Sequence, residues 1–170
     1  LVGSEMCIRD SKKTDQIIDT PNLVIYNPSI RLGGSITDID PKKAHEAVNI
    51  SCYGGFLVAQ QATKRMLKKK RGSIFFTGAT ASVKGFSNSS VFAMGKFGLR
   101  GLAQSLAREL HPQNIHIGHF IIDGGIGRED YGSYKTIHPD SIAKTYLQFY
   151  YQDKSAWSWE IELRLSLIHI

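Results

Sequence analysis

The sequence predicts an α/β fold built on a parallel sheet. Short apolar runs alternate with long helical stretches, the runs are separated by crossover-length segments, and 42% hydrophobic against 21% charged residues is ordinary globular usage. The 170 residues suffice for one domain with one core.

Asn22-Leu-Val-Ile-Tyr-Asn27 is entered from Pro21 and closed by Pro28, and reads as a buried strand whose C-terminal end is a candidate ligand edge. Asp40 as N-cap and Pro41 at the first helical position open a long helix that runs through Val48, Phe56, Val58, Met66 and Leu67 to a stop at Gly72. Ser73-Ile-Phe-Phe-Thr77 is the second strand, leading into the small-residue loop Gly78 to Gly85. A second long helix spans about Ser89 to Leu110, bounded by His111-Pro112. Ile115 to Ile122 is the third strand, ending at Asp123-Gly124-Gly125. Pro139 to Tyr150 reads as a helix, and Trp157 to Leu163 alternates as a fourth strand. In such a fold ligands bind at the C-terminal ends of the strands.

Composition also narrows the partners. The net charge is +6, but the densest basic run, Lys68 to Arg71, sits where a helix C-terminus favours cations, and no aromatic-interleaved basic stripe accompanies it; nucleic acid is not expected. No stretch is long and apolar enough to span a membrane. The first ten residues lack the layout of a secretory signal, and Cys7 and Cys52 have no disulfide-framework spacing, so a reducing, cytoplasmic setting is expected and the N-x-S sites at Asn49 and Asn88 are incidental. His111, His116 and His119 are close in sequence, but His116 and His119 point to opposite faces of a strand, so no metal site is expected.

From Asn22 to Arg164 the order of features resembles the short-chain dehydrogenase/reductase family. Asn27 is similar to the asparagine of the family's Asn-Ala-Gly segment, with Pro28 and Ser29 in place of the last two residues. Asn49 falls where the family's helix asparagine lies. Phe92-Ala-Met-Gly-Lys96 resembles Tyr-x-x-x-Lys with the tyrosine changed, and counting 13 residues back from Phe92 reaches Ala79 where a serine is expected. Asp123-Gly124-Gly125-Ile126 resembles the family's Pro-Gly segment, and Trp157 to Arg164 resembles the ending of an atypical subgroup.

The resemblance implies the C-terminal strands and helices of a Rossmann-like, doubly wound parallel sheet whose Gly-rich first βαβ unit is missing. It places the domain at residues 12–164, with 1–11 and 165–170 read as non-native ends. It implies NAD or NADP as cofactor, with Lys96 toward the ribose, Asn27 and Gly124 at the nicotinamide end, and Asp123 and Ile126 among the cofactor-binding positions. Lys96, Asn49 and Phe92 occupy catalytic-set positions. It further implies a small carbonyl or alcohol substrate and a homo-oligomer joined through the two long helices.

The departures set limits. A phenyl ring at Phe92 has no proton to exchange, and proton transfer by a positioned group is worth on the order of 100 to 10,000-fold. Ala79 cannot hydrogen-bond a substrate, although Thr80 or Ser82 could supply a hydroxyl. The alternative reading is a pseudoenzyme that senses nucleotide or binds partners. Lys96 as a solvated helix lysine, and Asn27 and Asn49 as plain turn and cap residues, are the bland readings. Tyr131, Tyr134 and Lys135 fall where this fold carries a substrate lid or a plain surface loop.

Overall fold

In the computed structural model, which describes residues 2–130 and 135–165, the predicted strands join one parallel sheet. Its order is β1 (Leu23–Tyr26), β2 (Gly72–Thr77), β3 (Ile115–Asp123) and, at the far edge, β6 (Glu160–Arg164). Ser73 to Thr77 lie beside His116 to Phe120 in parallel register, the neighbour relation the fold reading requires. A separate parallel pair, β4 (Gly125–Ile126) with β5 (Thr136–Ile137), follows β3. Tyr131 and Tyr134 lie outside the described residues.

Period-2 alternation sorts the strand side chains onto two faces. On one face Ile74, Phe76, Ile115 and Ile117 pack under α3 (Gly54–Lys69) and α4 (Ser90–Leu110), which contribute Ala62, Met66, Leu99 and Ala103. On the other, Phe75, Phe120 and Ile122 meet Tyr146 and Phe149 of α5 (Pro139–Tyr150). The sheet is thus covered on both sides, as all-parallel sheets are. The chain steps in one direction across the sheet from β1 to β6. Since α5 crosses on the opposite face from α3 and α4, the last crossover has the opposite hand to the two before it.

The Asp40 cap is present: its carboxylate accepts from the Lys42 N–H at 2.7 Å, with Pro41 opening α2 (Pro41–Val48). The expected single helix from Pro41 to Gly72 is instead α2 and α3 joined by a π-helical turn, Asn49–Tyr53. Its stop is also two residues earlier than read: Lys70 takes the left-handed cap conformation at φ 52°, and Gly72, at φ 150°, starts β2. The last strand begins at Glu160 rather than Trp157, because Lys154–Ala156 form a 3-10 turn before it. A helix precedes β1, α1 (Val2–Ile17), lying against α3.

Candidate functional site

The C-terminal ends of β1, β2 and β3 open on two adjoining cavities that share Ile122. One, of about 360 Å³, is mostly apolar and lies on the α5 side; Asn27, Thr77, Ile126, Ile142 and Tyr146 are among its walls. The other, of about 800 Å³, is a polar cleft lined by Arg31, Ala79, Thr80, Phe92, Asp123 and Gly124, among others. Of the residues singled out in the sequence, Asn27 and Ile126 therefore face the first, and Phe92, Asp123 and Gly124 the second. Neither Lys96 nor Asn49 lines either.

Lys96 is not a solvated helix lysine. It is 3% exposed, and its Nζ donates to the Thr77 carbonyl at the end of β2, 2.8 Å away. Burial pushes its pKa down to about 8. Its ammonium and the exposed Arg31 guanidinium each lie 5.9 Å from the centre of the Phe92 ring. Asn49 starts the π turn, its side chain within hydrogen-bond distance of His45 one helical turn back. The turn brings Ser51, not Asn49, under α4: a Cβ on Gly95 would lie 2.7 Å from the Ser51 Cβ. Ser51 Oγ in turn accepts from the Ile30 N–H at 3.1 Å, tying the segment after β1 to the helix.

The loop after β2 forms a 3-10 turn, Thr80–Ser82, at the floor of the polar cleft. Its two hydroxyls diverge. Ser82 is buried, its Oγ accepting from the Ala79 N–H at 3.1 Å. Thr80 lines the cleft and donates to Asp123 Oδ1. The other Asp123 oxygen is held by Arg164 Nε at 3.1 Å, its register neighbour on β6.

A second polar group lies beneath this loop and was not singled out in the sequence. His119, fully buried, sits in register with Glu160, and its Nδ1 is 2.9 Å from Glu160 Oε2; Arg100 of α4 grips the same carboxylate with two bonds of 2.7 and 2.8 Å. Burial pushes the Glu160 carboxyl up, but the Arg100 fork and His119 outweigh it and hold it below its usual range. Burial holds His119 below the usual imidazole range, which favours the neutral ring, and a neutral ring meets the carboxylate through Nδ1–H. Its Nε2 has no hydrogen-bond partner among the described residues and faces Gly78, where a Cβ would lie 2.4 Å away. His116 occupies the opposite face, stacked between Phe149 and Trp157.

A parallel α/β sheet with clefts at its strand ends defines a small-molecule-binding class. Comparison with known proteins is more specific: the sequence profile of the short chain dehydrogenase family matches residues 5–126, and the chain belongs to that family. It is 27% identical over 122 residues to the 3-oxoacyl-[acyl-carrier-protein] reductase MabA of Mycobacterium tuberculosis, covering 68% of this chain and 49% of MabA. It is 26% identical over 147 residues to sepiapterin reductase of Chlorobaculum tepidum, 83% of this chain and 60% of that one. Among solved structures, a short-chain dehydrogenase from Rhodopseudomonas palustris superposes with a TM-score of 0.84 at 34% identity, covering 95% of this chain and 70% of that chain. A metagenomic short-chain oxidoreductase solved in complex with NADP shares the fold at TM-score 0.82 and 18% identity, covering 96% of this chain and 70% of that one. The chain spans about half the length of the first curated relatives it matches.

Proposed function

We propose that this chain is the C-terminal part of a nicotinamide-dependent oxidoreductase acting on a small carbonyl or alcohol, with Phe92 and Ala79 standing where the family's tyrosine and serine are expected. The observation that carries the reading is Lys96: a buried ammonium placed at the end of β2, beside the apolar cavity that holds Asn27, Thr77 and Ile126. Burying a lysine is costly unless a specific partner repays it, and one main-chain carbonyl occupies only one of its three donors.

The residues present fit the nicotinamide end of NAD or NADP. An apolar cavity with the Asn27 amide at its rim suits a flat amide-bearing ring, and the spare Lys96 donors suit ribose hydroxyls. The group, when bound, supplies or takes up hydride. Asn27, Ile126 and Gly124 would border its ring and Lys96 its ribose, while the polar cleft beside them orients the substrate. The sequence has no Gly-rich turn for a pyrophosphate, so that contact is assigned to upstream sequence. Exposed Tyr53, Phe56, Met94 and Phe97, on the turn, α3 and α4, suit a helix-mediated homo-oligomer.

A second reading, a nucleotide-sensing scaffold without turnover, is favoured by the cleft walls themselves, since neither the Phe92 ring nor the Ala79 methyl can move a proton. Fluorescence titration with NADH and NADPH of the chain, and of the chain extended upstream with its native sequence, tests the first reading. Binding by the extended form is expected; binding by neither removes the cofactor assignment. Phe92→Tyr with Ala79→Ser then separates the two readings: activity appearing only in that double variant favours the scaffold.

A further inference from the structure

The geometry points to Thr80 and Asp123 as the proton-handling pair of the polar cleft, Thr80 Oγ touching the substrate oxygen and Asp123 taking the proton beyond it. This rests on the oxidoreductase reading and names the residues that do what Phe92 and Ala79 cannot.

Among the described residues that line the cleft, Asp123 is the only carboxylate. It comes from the end of β3, and Thr80 from the loop after β2, so adjacent parallel strands deliver both to one point at their C-terminal ends. The other hydroxyl of the 3-10 turn is unsuited, because Ser82 is fully buried and committed to the Ala79 N–H. Lys96 lies outside the cleft, its Nζ turned to the Thr77 carbonyl. The Thr80 proton already points at Asp123 Oδ1, which leaves the Thr80 oxygen as an acceptor where it borders the cleft. Arg164 engages the other carboxylate oxygen and fixes the orientation of the carboxylate toward Thr80.

Alcohol oxidation couples two transfers, a hydride and a proton. As the carbinol C–H bond breaks, an oxidised nicotinamide dinucleotide, when bound, would take up its hydride. The alcohol O–H bond breaks as its proton goes to Thr80 Oγ, while the proton of Thr80 moves to Asp123 Oδ1, and the carbonyl forms. The carboxylate becomes a carboxylic acid and returns its proton to solvent through the open cleft. Reduction runs the same transfers in reverse.

The test uses the native full-length protein with 13C-carboxyl aspartate, the Asp123 resonance being the one missing in Asp123→Asn, and cyclohexanol as the probe alcohol. Cyclohexanol is expected to shift that resonance in the wild type and in Thr80→Ser but not in Thr80→Val, with thermal melting showing that each variant is folded. No shift in the wild type, or an equal shift in Thr80→Val, overturns the proposal without reference to turnover. With NAD and NADP added, Thr80→Val and Asp123→Asn are expected to lower kcat/KM for secondary alcohols by about 100 to 10,000-fold and Thr80→Ser by less than about 10-fold. Wild-type turnover in either of the first two variants overturns it as well. NADH titration of the same proteins keeps the two questions apart: unchanged NADH affinity beside a missing shift sinks the pair alone, whereas absent NADH binding sinks the oxidoreductase reading.

Discussion

Lys96 shows how one residue carries both a stability cost and a functional clue. Its folded pKa, about 8, lies below the ordinary lysine value of 10.5, so between those limits the unfolded chain binds more protons and stability rises with pH. Above 10.5 the burden is gone; as pH falls to 8 it is fully restored, at a size on the order of 3 kcal/mol from ~1.4 kcal/mol per pKa unit. Lys96→Met removes this titration. Urea unfolding at several pH values from 7 to 10 should therefore show the wild type gaining on Lys96→Met as pH rises, and a constant difference would contradict the buried ammonium. The family resemblance brought Phe92, Lys96, Asp123 and Gly124 into view, because F-x-x-x-K and a strand-ending Asp-Gly are local patterns that can be laid along the family's motifs. The Arg100–Glu160–His119 group was not legible that way. Its members are separated by 41 and 60 positions in the sequence, and only the β3–β6 register sets His119 opposite Glu160.

At the scale of elements, the four strands of the main sheet and the helical stretches between them followed from apolar runs and caps, while the π turn and the hand of the last crossover did not. The π turn at Asn49–Tyr53 adds a local irregularity inside an apolar pattern that periodicity averages over, although such turns are frequent at functional sites. The opposite-handed crossover through α5 is likewise silent in sequence, since it depends on which face Tyr146 and Phe149 cover. The π turn is packed against α4 at Gly95, which gives a direct test. Gly95→Ala gains about 1 kcal/mol of helix propensity, but its Cβ would stand 2.7 Å from the Ser51 Cβ, an atom no rotamer change can move. Overpacking of this kind costs about 1–3 kcal/mol, so the variant should be less stable by roughly 1 kcal/mol in a urea titration. Equal or greater stability would show that the two elements are not held in contact.

For the whole molecule, the decisive packing is the aromatic group that joins the second face of the sheet to the C-terminal segment. His116 stacks on Trp157 with ring centres 4.5 Å apart and on Phe149 at 4.8 Å, meets the edge of Phe75 at 5.6 Å, and pairs its Nε2 with the Ser158 carbonyl at 2.8 Å. One imidazole thus fastens β2, β3, α5 and the approach to β6 together, and it does so neutral, burial having pushed its pKa down to about 4 from 6.5. Burial also lowers the pKa of His111, which lies beside Trp157, and of His119 on the other face. Each depressed histidine acts with the same sign: its stability contribution is complete above pH 6.5 and is lost as pH falls toward the folded value, because the unfolded chain takes up protons first. For His116 alone the loss between pH 6.5 and about 4 is on the order of 3 kcal/mol, a large share of a typical domain's 5–15 kcal/mol. The protein should accordingly unfold in mild acid. His116→Phe keeps the stack but drops the titration and the Ser158 bond, so it should be less stable by about 1 kcal/mol at pH 7.5 and show a shallower decline toward pH 4.5 in chemical denaturation. An acid limb as steep in His116→Phe as in the wild type would move the pH sensitivity from this aromatic stack to the other face, where His119 and Glu160 meet.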